Sequence, residues 1–339
     1  MHMIGRGSWY GFALSALSGL LLSGCGTEFD EAPADLESRE SPALVCNQPN
    51  GCCDPAIYES CSASMRSAPS GHRIVVTTFI CLTTPSSTTP SATCRVHPTD
   101  HAIGGGAWVQ GAVGAAPTSS LPISGLGGGW KATSAGIVAP VAHGLKTYAI
   151  GLQVLDTSFR PINIANDIHR YDFTANTSDP SRIVGSVRVA GGHVLVGGGW
   201  SASGGAFAVD AFASGMSGGK WTVTGNQFRA GVPKLSGVAM AVSRCLPAAN
   251  PSFCFGSRDI IQETSADGTG IQGIAVNNPH SELFVVGVGV ISSSWDRPIW
   301  GLFPLKGSAA SPYGVGAAFT VGPTAALGNV TTQVMTMGI

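Results

Sequence analysis

One pattern recurs three times along this chain of 339 residues, at a spacing of about 90 residues. His101-Ala102-Ile103-Gly104-Gly105-Gly106-Ala107-Trp108 is echoed by Val194-Leu195-Val196-Gly197-Gly198-Gly199-Trp200, and more faintly by Phe284-Val285-Val286-Gly287-Val288-Gly289-Val290. A short apolar segment precedes each copy: Cys94-Arg95-Val96, Val187-Arg188-Val189 and Ile274-Ala275-Val276. An aromatic residue follows each, at Trp130, Trp221 and Tyr313. Each copy then closes on an alternating apolar strand, Tyr148–Val154, Val238–Cys245 and Thr331–Met337. A fold for this chain must therefore place one unit three times. Period-two alternation and the lack of long 3.6-residue patterns make that unit all-β, with four or five strands each. A prism, a propeller-like ring or three sandwiches in a row all satisfy the pattern.

The glycine triplets predict a bulge or a close strand approach, where a Cβ would collide. A phosphate cradle needs a helix N-terminus after the glycines, and none follows. Val75–Leu82 resembles Val238–Leu246, so a further copy of the closing strand precedes the first unit. Pairing of that strand with the last unit would close the array and hide an edge.

The N-terminus has a separate logic. Arg6 precedes an apolar run, Trp9 to Leu22, and then Leu22-Ser23-Gly24-Cys25. Charge, short apolar segment and small residues, in that order, form an export signal. The run is short for a permanent membrane helix, which takes about 20 residues. Leu-Ser-Gly before Cys resembles the lipobox of bacterial lipoproteins. The resemblance implies removal of residues 1–24 and acylation of Cys25, so that the membrane is a partner through the lipid. Gly26, where inner-membrane retention would have Asp, implies an outer-membrane lipoprotein with a periplasmic or surface-exposed body.

Residues 25–45 follow as a spacer; between 26 and 45 there are six acids against one base, Arg39. Residues 46–71 are a Cys-rich segment, and the β-units then occupy 72–158, 159–254 and 255–339. Residues 94–339 also resemble a Gly-Gly-Gly…Trp β-repeat of secreted bacterial proteins of unassigned function, a resemblance that implies no activity.

Cysteine usage agrees with export. Beyond Cys25 there are eight, an even number: Cys46, Cys52, Cys53, Cys61, Cys81, Cys94, Cys245 and Cys254. In an oxidising compartment these read as disulfides. Proximity favours two bridges within 46–61, then Cys81–Cys94 and Cys245–Cys254. The first cluster lacks the spacing of a zinc site, so no metal or other cofactor is expected.

Charged residues make up 11% of the chain, against about 25% in ordinary soluble proteins. No Lys/Arg cluster with interleaved aromatics occurs, which speaks against nucleic acid as a partner. Gly215-Met216-Ser217-Gly218-Gly219 matches a nucleophile-elbow pattern, but a strand follows it rather than the helix that chemistry uses. Asp167-Ile168-His169-Arg170-Tyr171-Asp172 is the densest polar run. It could hold a cation or a general base, or be a solvated connection. His101 and His193 sit at nearly equivalent places. Trp130, Trp221 and Tyr313 read as core anchors, with sugar stacking as the other use of such rings. Trp295, Asp296, Arg297 and Trp300 have no counterparts in the other units and are the ligand-binding candidates, because an inserted aromatic and charged loop suits a site.

The expectation is a lipid-anchored, disulfide-braced envelope protein that binds a glycan or an envelope or surface protein, or serves structurally, without catalysis. The alternative is an extracytoplasmic hydrolase using Ser217 or the Asp167/His169/Asp172 cluster.

Overall fold

Runs of β-branched and small apolar residues set the backbone extended over most of the chain, and hairpin turns return it. The computed structural model describes residues 54, 56–125, 128–175, 179, 181–214, 219–247, 249, 252–256, 258–279, 283–305, 315–321 and 328–339. Among these there is no α-helix, only one 3₁₀ turn, Ala165–Asp167. The chain is all-β, with antiparallel pairing throughout three large sheets.

The first sheet runs β1 (Tyr58–Ser67), β2 (Arg73–Cys81), β7 (Gly144–Leu155), β4 (His101–Gln110), β20 (Ile299–Leu305), β21 (Val315–Val321) and β18 (Ile271–Asn277), with β8 (Pro161–Ile162) beside β7. The second runs β9 (Ile168–Thr174), β14 (Lys234–Ser243), β11 (His193–Ser203), β5 (Ala115–Ile123), β6 (Gly129–Gly136) and β3 (Ser91–Arg95). The third runs β17 (Arg258–Thr264), β22 (Val330–Gly338), β19 (Leu283–Ser292), β12 (Ala206–Ser214), β13 (Lys220–Gln227) and β10 (Ile183–Arg188). A small hairpin, β15 (Cys245–Leu246) with β16 (Phe253–Cys254), stands apart.

The three sheets share one recipe. Half of each (β2-β7-β4, β9-β14-β11, β17-β22-β19) comes from one stretch of chain. The other half (β20-β21-β18, β5-β6-β3, β12-β13-β10) comes from the stretch before it, the third serving the first. Each stretch thus gives half its strands away, and the exchange runs in a circle. The strand containing Val75 does not close that circle, contrary to the sequence expectation. β2 pairs with β7 of its own stretch, from Arg73↔Leu155 to Ile80↔Tyr148. It holds the place that β9 and β17 hold, beside a strand buried along all twelve of its residues. Closure comes from β20 against β4, through Gly301↔Trp108 and Leu302↔Ala107.

The glycine triplets explain how the circle packs. Register shifts leave Ile103, Val196 and Val286 as single bulged residues in β4, β11 and β19, each fully buried. A Cβ on Gly104 would press on the Val286 carbonyl, one on Gly197 would face the Ile103 carbonyl, and one on Gly287 would strike the Val196 carbonyl. The three strands therefore meet backbone to backbone, each first glycine seated on the bulge of the next. The second glycine makes room for an indole: Trp130 lies against Gly105 and Trp221 against Gly198, both rings fully buried. The third lets the donated strand cross, Gly106 under Leu302 and Gly199 under Ser120.

Register also corrects the assignment of Tyr313, which lies outside the described residues. Trp130 pairs with Cys94 and Trp221 with Val187; the matching partner of Val276 is Gly316. There Val288 replaces the second glycine and, with Val334, fills the space of the missing indole: the Cγ2 atoms of both crowd a Cβ placed on Gly316, that of Val288 at 3.0 Å. Volume is kept while its source moves to the facing strands.

Disulfides brace the frame. Cys81–Cys94 ties β2 of the first sheet to β3 of the second, and Cys245–Cys254 closes the small hairpin. Cys61 is disulfide-bonded as well. Cys25, Cys46, Cys52 and Cys53 lie outside the described residues.

Candidate functional site

Side chains alternate across a strand, so β4 sends Ala107 and Val109 to one face, where they pack with Leu145 in the core. Trp108 goes to the opposite face and joins Tyr148, Phe303, Phe319 and Ile80. The β20 backbone crosses over Gly106, and Phe303 stacks on Tyr148 with ring centroids 4.9 Å apart and planes 15° apart. Phe303 also stacks on Trp108 at 5.2 Å and on Phe319 at 6.0 Å. Trp300 meets both Trp108 and Phe319 edge-on, at 5.8 and 6.3 Å. Tyr148 and Phe303 are buried, while Trp108, Trp300 and Phe319 are half-buried at the open end of the row. Beside them Lys146 pairs with Glu59 at 2.5 Å.

Trp300 owes its position to a second bulge. Register shifts isolate Trp300 in β20, Thr118 in β5 and Val209 in β12. The same place can therefore be compared across the sheets. The first sheet has Trp108, Trp300 and Phe319 around Gly301. The second has Ser201, Thr118 and Thr133 around Ser119, the Thr133 hydroxyl sharing hydrogen bonds of 2.9 Å with Thr118 and 2.7 Å with Ser119. The third has Ile291, Val209 and Thr224 around Asp210. Burial pushes the Asp210 carboxyl up to about 6, although the Thr224 hydroxyl and the Ser292 N–H both donate to it. One place thus carries aromatic, hydroxyl and carboxyl chemistry in turn.

The inserted loop does not act as a unit. Trp295 is 37% exposed, with the Arg182 guanidinium 4.6 Å from its ring centroid. Asp296 accepts a hydrogen bond from Ser294. Arg297 is fully buried and donates to Thr320 Oγ1 at 3.1 Å and to the Gly268 and Gly270 carbonyls at 3.3 and 2.6 Å. It pins a loop from inside. Trp300 alone joins the aromatic row, and its indole N–H donates to Ala112 O at 3.3 Å.

The polar run is divided between the two faces of β9. Arg170 grips Asp172 through its Nε and Nη2 at 2.7–2.9 Å, both exposed. His169 and Tyr171 point the other way, toward His193 of β11 and Ser243 of β14. Asp172 is thus parted from His169, while Asp167 is buried in the turn before the strand. Ser217 lies outside the described residues. His101 is half-buried, and that burial lowers its basicity.

Sequence reasoning missed Trp108, Phe319 and Ser243. For Trp108 the signal was present: it stands one residue later than Trp200 relative to the triplet, and one step along a strand reverses the face. Trp200 accordingly lies in the core.

Among the described residues no group of three or more His, Cys, Asp and Glu side chains is placed to hold a metal ion. No protein-family model matches this chain, and no curated protein matches it in sequence.

Proposed function

We propose that this is an exported, lipid-anchored protein of the cell envelope that binds rather than catalyses, taking neutral sugar rings on Trp108, Trp300 and Phe319. One observation carries the reading. The corresponding places in the sister sheets are filled by Ser201, Thr118 and Thr133, and by Ile291, Val209 and Thr224. The framework therefore folds without aromatics there, and their gathering on one sheet asks for another reason. The faces of aromatic rings accept the C–H groups of sugars, and Trp supplies broad contact area at small entropic cost. The lipobox at 22–25, the paired cysteines and the near-neutral charge agree with a tethered body in an oxidising, glycan-rich compartment.

The test is a glycan array probed with the signal-free chain, followed by Trp108→Ser and Trp300→Thr, the residues the second sheet uses. Each change is expected to weaken binding at least about tenfold, which is about 1.4 kcal/mol, with the fold retained. An array without signal, or binding that survives both substitutions, would remove the aromatic row from the reading. Mass spectrometry of the mature protein should find acylated Cys25 at its N-terminus.

A further inference from the structure

β9 is an edge strand, held to β14 by a ladder from Ser236↔Thr174 to Val242↔Ile168. Near one end it has a second fastening, made of side chains. The rings of His169 and His193 lie face to face, centroids 3.7 Å apart and planes 5° apart. They reach each other across β14, from the strands on either side of it. His169 Nε2 shares a hydrogen bond with Ser243 Oγ at 2.8 Å, and His193 Nδ1 shares one with the Tyr171 hydroxyl. That hydroxyl also accepts the Ala190 N–H at 3.3 Å. Two residues of β9 thus hold one residue of β11, with β14 enclosed between them.

We propose that the His169–His193 pair is an acid-operated latch on β9: with both rings neutral it clasps the edge strand, and protonation in mild acid frees β9 from β14. Two imidazoles at van der Waals separation stack well when uncharged. A proton on one opposes a proton on the other, since no counter-charge lies between the faces. Released from β14, His169 takes up its proton without that opposition, so acid favours the open edge.

The surrounding charges can be named element by element. Asp167, in the turn before β9, favours a proton on His169. Burial and His193 disfavour it more, and hold His169 below the ordinary imidazole value. Arg170 and Asp172 of β9 lie on the other face and neutralise each other. β14 contributes the hydroxyl of Ser243 and then runs into Arg244, whose N–H is tied to Gly192 O. β10, which packs on β9, ends in Arg188. The sign follows from linkage: a histidine depressed in the closed form stabilises that form above its unperturbed value of about 6.5 and loses this contribution as pH falls below it. An envelope protein meets external pH directly, and β14, once uncovered, presents an unpaired edge.

Amide hydrogen exchange on the folded chain at pH 7.5 and 5.0, expressed as protection factors, tests this. Residues 168–174 and 236–242 are expected to lose at least tenfold protection at the lower pH, while β7 and β22 keep theirs. His193→Gln should abolish that pH dependence, and NMR titration should show His169 shifted to higher pKa in the variant. Should His193→Gln fail to fold, Asp167→Asn serves instead: it removes the charge that favours a proton on closed-form His169 and should deepen the loss of protection at pH 5.0. The latch is overturned if β9 protection is unchanged while His169 titrates, or if either variant repeats the wild-type response.

Discussion

At the scale of the residue, this fold is governed by trades between glycine and a bulky neighbour. Gly198 exists so that Trp221 can lie over it; in the third stretch Val288 and Val334 together take up the space over Gly316. Gly198→Val alone should destabilise the protein by about 1–3 kcal/mol through overpacking, and Trp221→Gly alone by about 3–5 kcal/mol through the cavity it leaves. The double variant imitates the third stretch and should recover at least about 1 kcal/mol of the summed loss, measured as a coupling free energy in denaturant unfolding. Additive losses would contradict the trade. This trade was hidden in the sequence, because the eye aligns Trp with the next aromatic, Tyr313, whereas the register selects Gly316. Arg297 misled in the opposite sense. A charged residue between two tryptophans looks like a surface group, yet its guanidinium is buried because backbone carbonyls 27 and 29 residues away turn to meet it.

At the scale of the element, local information was strong. Strand alternation, the bulge at the glycines and the two short-range disulfides were all legible, since each depends on neighbours within about a dozen residues. The faces of the strands were less so. A one-residue slip between Trp108 and Trp200 decides whether an indole enters the core or the aromatic row. The His169–His193–Ser243 group needs three strands brought side by side, and no spacing in the chain announces it. The Cys81–Cys94 bridge, with a sequence separation of 13, fastens the edge region of one sheet to that of the next. Replacing both cysteines by Ser should cost about 2–4 kcal/mol and lower the Tm in calorimetry, with both sheets losing order together. A loss confined to β3 would show that the bridge is local only.

At the scale of the whole molecule, the circular exchange of strands was beyond sequence reading, because pairing between the first and third stretches leaves no trace in local periodicity. It predicts single-step unfolding. In a linear array, removal of the last unit spares the others; here loss of residues 255–339 strips β4 of β20 and β12 of β19. A chain ending at residue 254 is therefore expected to lack the native near-ultraviolet circular dichroism signal. The full chain should give a calorimetric enthalpy equal to its van't Hoff value. A truncated chain that melts cooperatively near the wild-type Tm would refute interlocking.

The matched positions on the three sheets have a practical corollary. Ser201, Thr118 and Thr133 occupy a scaffold location that already tolerates indoles and a phenyl ring one sheet away. On the proposed sugar-binding reading, grafting Trp, Trp and Phe onto them would reproduce the half-buried part of the row and raise the valency of a single chain from one to two. Avidity for a polymeric ligand would then climb without any new fold being designed.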